Sequence, residues 1–479
     1  MNKRAAVGYG AGGGKGGTRR GAGLGEGGQG NANRVIRFRC GFTNTILDVL
    51  RNRGWNHVTE EGADWDFYWC DVGWMREVFD HCYMDEGARI CHFRNHYELT
   101  RKNLMVKNFK RYRKQLEREA ATAGGKSEAL KMDFYPPTFE LPTEYHMFVE
   151  EFKKHPSATW IMKPAAKSQG KGIFLFRKLK DITDWKKNSV YKPASQQNHQ
   201  DSQGEKEAQV ETYVVCKYID NPYLVGNKKF DVRFYVLVCC YAPLKVWLYR
   251  EAFARFSTVR YNLESIEDNV VHLTNVAIQK LAPDYDPERD CKWSFASLKR
   301  YLTAKHGNEE VAQLMREIDE LVIYSLKSVQ KIIINDKHCF ELYGYDIMLD
   351  TAMKPWLLEV NASPSLTASS PQDYELKYRL LDDMVTVIDM ENRLTGKEKR
   401  IGGFDLMWHD GPVLVNDGGV EYTSAPGHCT NSFLGCSNEN RQKQLKQMMR
   451  QANIAKRHNN PTQPNQNTSV QQSAAAGVA

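Results

Sequence analysis

The chain lacks the long apolar segments that a membrane-spanning helix needs. Its longest uninterrupted apolar run, Phe234 to Ala242, covers nine residues, whereas a transmembrane helix requires about 20. The N-terminus is rich in glycine rather than in apolar residues, so the hydrophobic stretch of a secretory signal is missing too. The sequence therefore predicts no membrane insertion.

Closely spaced cysteine pairs of the kind that bind zinc are also missing. The eleven cysteines are scattered, and no two have CxxC spacing; the closest neighbours, Cys239 and Cys240, lie inside an apolar run. This pattern favours buried free thiols in a reducing compartment over a zinc site or a disulfide framework. It predicts a cytoplasmic protein.

The composition is that of a soluble globular protein. Of 479 residues, 41% are hydrophobic and 26% are charged, and this length allows about two to four packed units. The net charge of +8 would favour an acidic partner through long-range attraction. By itself it does not choose between nucleic acid, a membrane surface and an acidic protein.

Three segments have compositions that disfavour a packed structure. Residues 1–33 hold thirteen glycines and almost nothing apolar, which predicts a disordered arm. Residues 186–209 are polar and lie between structured-looking sequences, so we expect a flexible surface loop. From about residue 440 the chain becomes rich in Gln and Asn, which predicts a second disordered tail.

Between these segments, short β-like runs alternate with helical ones, which predicts an α/β (α+β) fold. The clearest helix, Glu309 to Ile334, has a core-facing apolar stripe. A second helical segment, Tyr97 to Glu119, is strongly basic. Its cations could form an ordinary solvated face or a docking strip for a polyanion, and the sequence favours neither.

The strongest chemical signal is a pair of strand-like runs joined by the turn DTAMKP. Asp346 lies in the first run, whereas Glu359 and Asn361 lie two residues apart in the second and therefore leave one face of a strand. Three oxygen donors around one point suit Mg²⁺. Both runs are otherwise apolar, and buried carboxylates without a compensating cation are costly. A magnesium site is therefore predicted rather than a polar surface stripe.

Two further motifs are weaker alone. WIMKPAAKSQGKGIFLF carries Lys163 into a loop with Gly170 and Gly172, which could hold phosphate through backbone N–H groups or be an ordinary hairpin. It is not a Walker A loop, because GxxxxGK[ST] is absent. In KKFDVRFYVLV, Asp231 and Arg233 lie on one strand face. They could form a catalytic pair or a structural salt bridge.

Together these motifs resemble the tubulin-tyrosine-ligase-like family, whose members have an ATP-grasp core and an N-terminal domain of their own. The resemblance covers roughly residues 35–400 and is nearest to a branch of ciliary tubulin polyglutamylases. In chain order it rests on FRNHYELTRKNLMVKN, WIMKPAAKSQGKGI, KYIDNPYL, KKFDVRFYVLV, LYREAFARFS, HLTNVA, CFELYGYDIMLD and KPWLLEVNASPSLTASS. Protein kinases are excluded because HRDLxxxN and DFG are absent.

The resemblance implies a role for each matching position. The positions implied to bind ATP are Lys163, Gln169, Gly170, Lys171, Gly172, Ile173, Cys216, Lys217, Tyr218, Ile219, Lys229, Phe230, Asp231, Thr274 and Asn275. Those implied to be catalytic are Arg233, Arg255 and Glu359; those implied to hold the donor amino acid are Arg255 and Lys377; those implied to bind the metal are Asp346, Glu359 and Asn361. Cys216 departs from the glutamine of many members, which leaves the shape of the adenine pocket in doubt.

The activity that the resemblance implies is an ATP- and Mg²⁺-dependent, ADP-forming ligation of free glutamate to glutamate side chains on tubulin tails. A glycine ligase with the same core and a non-catalytic microtubule-binding scaffold remain alternatives. The implied partners are tubulin, microtubules and possible accessory subunits, without nucleic acid, and the implied sites are the cytoskeleton, the ciliary or flagellar axoneme and the basal body. We expect an N-terminal domain over residues 34–130, ATP-grasp domains over 131–400 and a C-terminal extension over 401–479.

Overall fold

A computed structural model of the chain describes residues 35–60, 62–123, 128–167, 169–182, 212–283, 285–286, 291–414, 431–436, 446 and 450. The predicted glycine-rich arm, the loop 186–209 and almost all of the tail from residue 440 lie outside these ranges. Helices and strands alternate within them, which confirms the α/β class. Among the described helices, none is both long enough and apolar enough to cross a membrane.

The first part of the described chain forms a small parallel sheet flanked by helices. Its elements are β1 (Arg37–Cys40), α1 (Thr45–Asn52), β2 (Asn56–His57), β3 (Phe67–Trp69), α2 (Val72–Glu77), β4 (Arg89–Ile90), α3 (Tyr97–Thr100) and α4 (Lys102–Ala123). The strand order is β2-β1-β3-β4. The helix α1 begins where the side chain of Asn44 accepts a hydrogen bond from the N–H of Ile46, as N-cap residues commonly do.

The predicted basic helix is interrupted. The prediction ran unbroken from Tyr97 to Glu119, but α3 ends at Arg101, whose extended backbone (ψ 125°) separates it from α4. The helix α4 buries one face, lined by Met105, Val106 and Phe109 among others. Because of this break, Lys102 is the first residue of α4.

The second part is a four-stranded antiparallel sheet with its own small core. Its elements are β5 (Thr138–Leu141), α5 (Tyr145–Lys154), β6 (Trp160–Pro164), β7 (Phe174–Phe176) and β8 (Tyr213–Lys217), with strand order β5-β8-β6-β7. One face of this sheet packs against α5 through Phe148, Phe152 and Trp160. The other face carries Ile161, Val214 and Cys216.

The third part is a nine-stranded antiparallel sheet built around one long strand. Its elements are β9 (Leu224–Val225), β10 (Lys228–Tyr241), β11 (Leu244–Tyr249), β12 (Phe253–Phe256), α6 (Asn269–His272), α7 (Val276–Gln279), β13 (Lys292–Ser294), α8 (Phe295–His306), α9 (Asn308–Gln330), β14 (Glu341–Leu349), β15 (Pro355–Asn361), α10 (Pro371–Ile388), β16 (Arg400–Ile401) and β17 (Phe404–His409). Strand β10 is buried from Lys229 to Val238 because β12 and β14 flank its first half and β11 and β14 its second.

The helices over this sheet follow the sequence pattern closely. The predicted helix Glu309–Ile334 is α9, which ends four residues earlier, at Gln330, and buries the apolar stripe that includes Leu314, Ile318 and Val322. Its core is continuous with that of the parallel sheet. Strands β16 and β17, from the predicted C-terminal extension, add to the sheet beside β11.

Candidate active site

Alternation along β10 and pairing with its neighbours bring the predicted charged residues together. Asp231 and Arg233 leave the same face of the strand, as their spacing of two requires. Asp231 lies opposite Arg255 of β12, and Arg233 lies opposite Asp346 of β14. Asp346 in turn lies opposite Glu359 of β15. The cross-strand register therefore assembles residues from four strands into one cluster.

Four of these side chains form a buried charge network, which we call the floor network: Asp231, Arg233, Arg255 and Asp346. Arg233 donates to both carboxylate oxygens of Asp346, at 2.5 and 3.0 Å. Arg255 donates to Asp231 through Nε at 3.1 Å and lies 2.9 Å from Oδ2 of Asp346. None of the four is more than 8% exposed. Burial alone would raise the pKa of Asp346, but the two guanidiniums outweigh it and hold that pKa well below its usual range.

Glu359 and Asn361 lie at the edge of this network. The Nζ atom of Lys102, at the start of α4, lies 2.9 Å from Oε2 of Glu359. The side-chain amide of Asn361 points to Oε1 of Glu359 at 3.5 Å and to the carbonyl oxygen of Gly344 at 3.3 Å. Asp346 makes three contacts with arginine nitrogens, whereas a carboxylate has about four lone-pair positions. The three predicted ligands therefore fit a hard divalent cation, with Lys102 as the present counter-charge of Glu359.

A cleft of about 780 Å³, including space open to solvent, lies over these residues. The small sheet contributes Ile161 and Lys163 of β6, while the large sheet contributes Asp231, Asp346 and Glu359. The remaining lining residues are Lys102, Pro136, Lys167, Gln169, Gly170, Ile173, Cys216, Lys217, Tyr218, Ile219, Lys229, His272, Leu273, Thr274, Asn275, Met348 and Leu358. A lining that combines apolar side chains, lysines and carboxylates suits a flat base with a charged phosphate chain.

Lys229 occupies an unusual position between the two sheets. Its Nζ donates to the hydroxyl of Tyr218 and to the carbonyl oxygen of His272, each at 2.8 Å, and it is 5% exposed. Burial and, to a smaller extent, the charge of Lys163 lower the pKa of Lys229 to about 7, because Asp231 only partly opposes them. A phosphate oxygen entering the cleft would supply the anion that this ammonium group lacks.

The loop between β6 and β7 requires glycine. Gln169, Gly170 and Gly172 all have positive φ, at 61°, 76° and 71°. A Cβ atom at Gly170 would lie 2.9 Å from a side-chain carbon of Ile278, and one at Gly172 would lie 3.1 Å from the ring of Pro164. The loop therefore folds as a tight turn whose backbone passes close to its neighbours.

A second buried charge cluster adjoins the floor network. Lys292, on edge strand β13, lies opposite Arg255. Lys292 and Lys377 each place Nζ 3.0 Å from the same oxygen of Asp373, and Lys377 also donates to the carbonyl oxygen of Thr367 at 2.7 Å. Burial lowers the pKa of Lys377 despite Asp373, and the charge of Arg233 contributes to that shift. Four cations thus face three carboxylates in this region, which leaves room for one further anion.

The cleft does not contain every predicted residue. Phe230 points away from it, at 0% exposure against Phe256, since β10 alternates faces, so any contact with a ligand would come from its backbone. Lys171 and Gly172 are exposed beside the cleft lining. Arg233, Arg255, Asn361 and Lys377 are not among the lining residues. Arg233 and Arg255 contact the lining residue Asp346, Asn361 contacts Glu359, and Lys377 contacts Asp373, which does not line the cleft.

Three residues of the region carried no decisive sequence signal. Lys102 is one cation of many in a basic helix, His272 contributes mainly its backbone oxygen, and Lys292 lies in an unremarkable segment, CKWSF. Hints were available for Lys102 and His272, because their segments ELTRKN and HLTNVA are among those that carry the family resemblance.

The two antiparallel sheets and the cleft between them define an ATP-grasp-type protein. The family model described as "Tubulin-tyrosine ligase family" matches residues 82–395. The chain is 56% identical over 457 residues to "Probable tubulin polyglutamylase TTLL9" of Rattus norvegicus, covering 92% of this chain and 98% of that protein. Similarity extends to "Probable tubulin polyglutamylase ttll-9" of Caenorhabditis elegans, at 52% over 404 residues, with 84% and 90% covered. "Probable alpha-tubulin polyglutamylase Ttll1" of Tetrahymena thermophila is 44% identical over 398 residues, with 79% and 94% covered.

The chain belongs to the tubulin-tyrosine ligase family, and it is an ATP-dependent ligase. The match spans nearly the full length of these relatives. The match to the family model includes every residue of the floor network and the three predicted metal ligands. The family membership and the cleft therefore describe the same part of the chain.

Proposed function

We propose that this ligase is a tubulin polyglutamylase: it joins free glutamate to the γ-carboxylate of glutamate side chains on tubulin tails, with ATP and Mg²⁺. Relatives up to 58% identical carry the name of tubulin polyglutamylase. The observation that supports the chemistry most directly is the floor network beside Glu359 and Asn361. It provides carboxylates for a metal and guanidiniums for phosphate at one end of a nucleotide-sized cleft.

In this proposal the cleft holds ATP with its base toward Ile161 and Cys216 and its phosphates toward Lys163 and Lys229. Asp346, Glu359 and Asn361 would hold Mg²⁺, since carboxylate and amide oxygens are the ligands that it prefers. The ion would neutralise part of the phosphate charge during transfer. Lys102 would then leave Glu359 for a phosphate oxygen, because a cation and the metal compete for the same carboxylate.

The residues of the chain stabilise the transferring phosphoryl group and position the donor amino acid. Arg233 and Arg255 stabilise the charge that gathers on the γ-phosphoryl group while the acceptor γ-carboxylate attacks it, giving an acyl-phosphate and ADP. The α-amine of the donor then attacks the acyl carbon, the amine loses a proton, and phosphate leaves as an isopeptide bond forms. The enzyme positions this amine by binding the carboxylates of the donor amino acid. Proximity of the amine to the acyl-phosphate then supplies much of the rate. No covalent enzyme intermediate is needed.

The charge balance favours an anionic donor. Glutamate carries one net negative charge at neutral pH, whereas glycine carries none. Arg233, Arg255, Lys292 and Lys377 outnumber by one the carboxylates that they contact, which are Asp231, Asp346 and Asp373. A guanidinium binds a carboxylate through charge-assisted hydrogen bonds. Nε and Nη2 of Arg255 contact Asp231 and Asp346, while its Nη1 makes no hydrogen bond to the part of the chain that the structure describes. That nitrogen is our candidate for the donor carboxylate.

The test is mass spectrometry of tubulin tails after incubation with purified protein, ATP, Mg²⁺ and either glutamate or glycine. We expect mass increments of glutamyl units and none without ATP. Arg255→Lys keeps the charge needed by Asp231 and Asp346 but loses the fork, so it should raise the glutamate requirement about tenfold or more. Glycine incorporation at an equal or higher rate would make the chain a glycine ligase, and unmodified tails with intact microtubule binding would make it a scaffold.

We also propose that the enzyme works on microtubules of the cytoplasmic cytoskeleton, including the ciliary or flagellar axoneme and the basal body, with an accessory subunit where one is present. This rests on the family resemblance and on tubulin in the relatives' names. We propose residues 34–130 as the N-terminal domain, 131–400 as the ATP-grasp domains and 401–479 as the extension. Imaging of a tagged chain in ciliated cells tests the location: exclusion from cilia and basal bodies would contradict it.

A further inference from the structure

A cluster of two cysteines and a histidine lies in the core, outside the nucleotide cleft. Cys70 follows strand β3, while Cys91 and His92 follow β4, the neighbouring strand of the parallel sheet. Their exposures are 2%, 1% and 3%. None of the three lines the cleft. Neighbouring parallel strands that end at one edge therefore bring together residues 21 positions apart, a spacing that no sequence motif for metal binding covers.

The distances within this cluster fit a tetrahedral metal ion. One ligand atom from each residue lies within 4.8 Å of the others, and the two sulfur atoms are 4.0 Å apart. Two thiolates that each bind zinc at about 2.3 Å in tetrahedral geometry lie about 3.8 Å from each other. The two sulfur atoms thus need to approach by only about 0.2 Å to bind one ion. A disulfide would require the same sulfurs to approach to about 2.05 Å, a much larger movement for two buried strand ends.

The histidine already has the partner that metal-binding histidines usually have. Nδ1 of His92 lies 2.6 Å from Oε1 of Glu341, and the other oxygen of Glu341 accepts the N–H of Phe93 at 3.0 Å. Glu341 is fully buried. A carboxylate in this position orients the imidazole ring of a zinc ligand. Nε2 of His92, which lies 3.4 Å from Oγ of Ser363, is then the nitrogen that would bind the ion.

The charges of the ligands also suit a divalent cation. Two thiolates balance the charge of one such ion, and cysteine with imidazole is a ligand set typical of zinc. Binding would release the two thiol protons.

We propose that Cys70, Cys91 and His92 bind a structural zinc ion, with Glu341 as the carboxylate that orients His92. Glu341 begins β14, the strand that carries Asp346 five residues later, and Ile90 of β4 forms a parallel bridge with Cys339 just before it. The ion would clamp the parallel sheet to the strand that carries a predicted ligand for magnesium. Its role is to stabilise this junction, separate from the magnesium of the reaction.

The test is the zinc content of the full-length protein, purified without a metal-affinity column and measured by mass spectrometry of the elements. We expect about one zinc per chain in the wild type and in the matched control Cys239→Ser/Cys240→Ser, whose cysteines are half-buried on β10. Cys70→Ser/Cys91→Ser should lose the zinc and melt at a lower temperature. A wild type without zinc after expression with added zinc would overturn the proposal, and so would a double variant that keeps it.

The wild type alone also decides the matter if the double variant fails to fold. X-ray absorption at the zinc edge should show two sulfur neighbours at about 2.3 Å and at least one imidazole. A spectrum with only oxygen and nitrogen neighbours would overturn the proposal, because the ion would then sit elsewhere on the protein. A strong chelator should lower the melting temperature of the wild type and leave that of the double variant unchanged.

Discussion

The two sides of the cleft differ in how their charged side chains are neutralised. The floor network neutralises itself, since each carboxylate of Asp231 and Asp346 contacts at least one guanidinium. The opposite side, which we call the roof, is residues 160–176, with Lys163 and the positive-φ loop. Lys163 is half-buried and forms no ion pair with any residue that the structure describes. The floor is therefore organised before a ligand arrives, whereas the roof gains its counter-charge from the ligand.

The largest effect should come from breaking the floor. Asp346→Asn leaves Arg233 and Arg255 buried with one carboxylate fewer, which costs about 3–5 kcal/mol of unfolding free energy. Ligation should fall at least about a hundredfold as well. Chemical denaturation and a tubulin ligation assay measure the two losses.

The matched control for this variant is Asp405→Asn. Asp405 pairs with Arg250 at 2.6 Å, equally buried but not among the cleft-lining residues. It should lose similar stability while the folded fraction keeps its affinity for ATP. Equal loss of ATP affinity in both variants would mean that the floor network acts through folding alone.

The next largest effect concerns Glu359 at the edge of the cleft, where ligation should fall while the unfolding free energy changes little. Glu359→Gln keeps the size of the side chain but removes a charge from the predicted magnesium site, so ligation should fall about a hundredfold or more. Glu359 is partly exposed, and an ion pair of this kind contributes only about 0–1 kcal/mol, so the unfolding free energy should change little. Glu144→Gln is the control, because Glu144 forms a similar pair with Lys110 at 2.8 Å. Normal turnover of Glu359→Gln at saturating Mg²⁺ would remove the metal assignment.

A smaller effect should appear in the pH dependence of nucleotide binding. The pKa of Lys229 is about 7 without ligand, and a bound phosphate chain favours the protonated form. Below pH 7 the group already carries its proton, so the affinity for Mg-ADP should be constant. Above pH 7 the proton must be taken up, so the affinity should fall by up to about tenfold per pH unit.

Titration calorimetry in buffers of different ionisation enthalpy measures this proton uptake directly. At pH 8 we expect uptake approaching one proton per Mg-ADP bound. Lys229→Arg stays charged over the whole range and should show neither the uptake nor the slope. An unchanged uptake in that variant would assign the proton to another group.

The smallest effect concerns the exposed side of α4. Lys110 and Arg113 are paired with Glu144 and Glu117, and Arg111 donates to the carbonyl oxygen of Ser328. The exposed cations left for an acidic tail are therefore Lys107, Lys114 and Arg118. Reversing these three to Glu should weaken microtubule binding several-fold at low salt and less as salt screens the attraction. ATP affinity should not change. The control changes Lys153, Lys178 and Lys180, which are also exposed, to Glu. An equal loss of microtubule binding in the control would mean that net charge alone causes the effect.

Local pattern was enough to predict much of the fold. Alternation and apolar runs identified the strands that became β6, β10, β14 and β15, and the 3.6-residue period identified α9. The spacing of Asp231 with Arg233, and of Glu359 with Asn361, correctly placed each pair on one strand face. The break at Arg101 was missed because a single extended residue barely disturbs a helical period.

What the sequence determined by itself was which residue types share a strand face, because the period of a strand depends only on neighbours along the chain. Only the tertiary structure decided which strands lie side by side. That register turned the expected metal carboxylate Asp346 into the partner of two arginines and joined Lys102 to Glu359. It also brought Cys70, Cys91 and His92 together at two strand ends, which no spacing along the chain indicates, while the cysteines that the structure describes are free thiols, as their spacing predicted. Distances across a sheet follow from pairing, and pairing is settled by burial of the whole core.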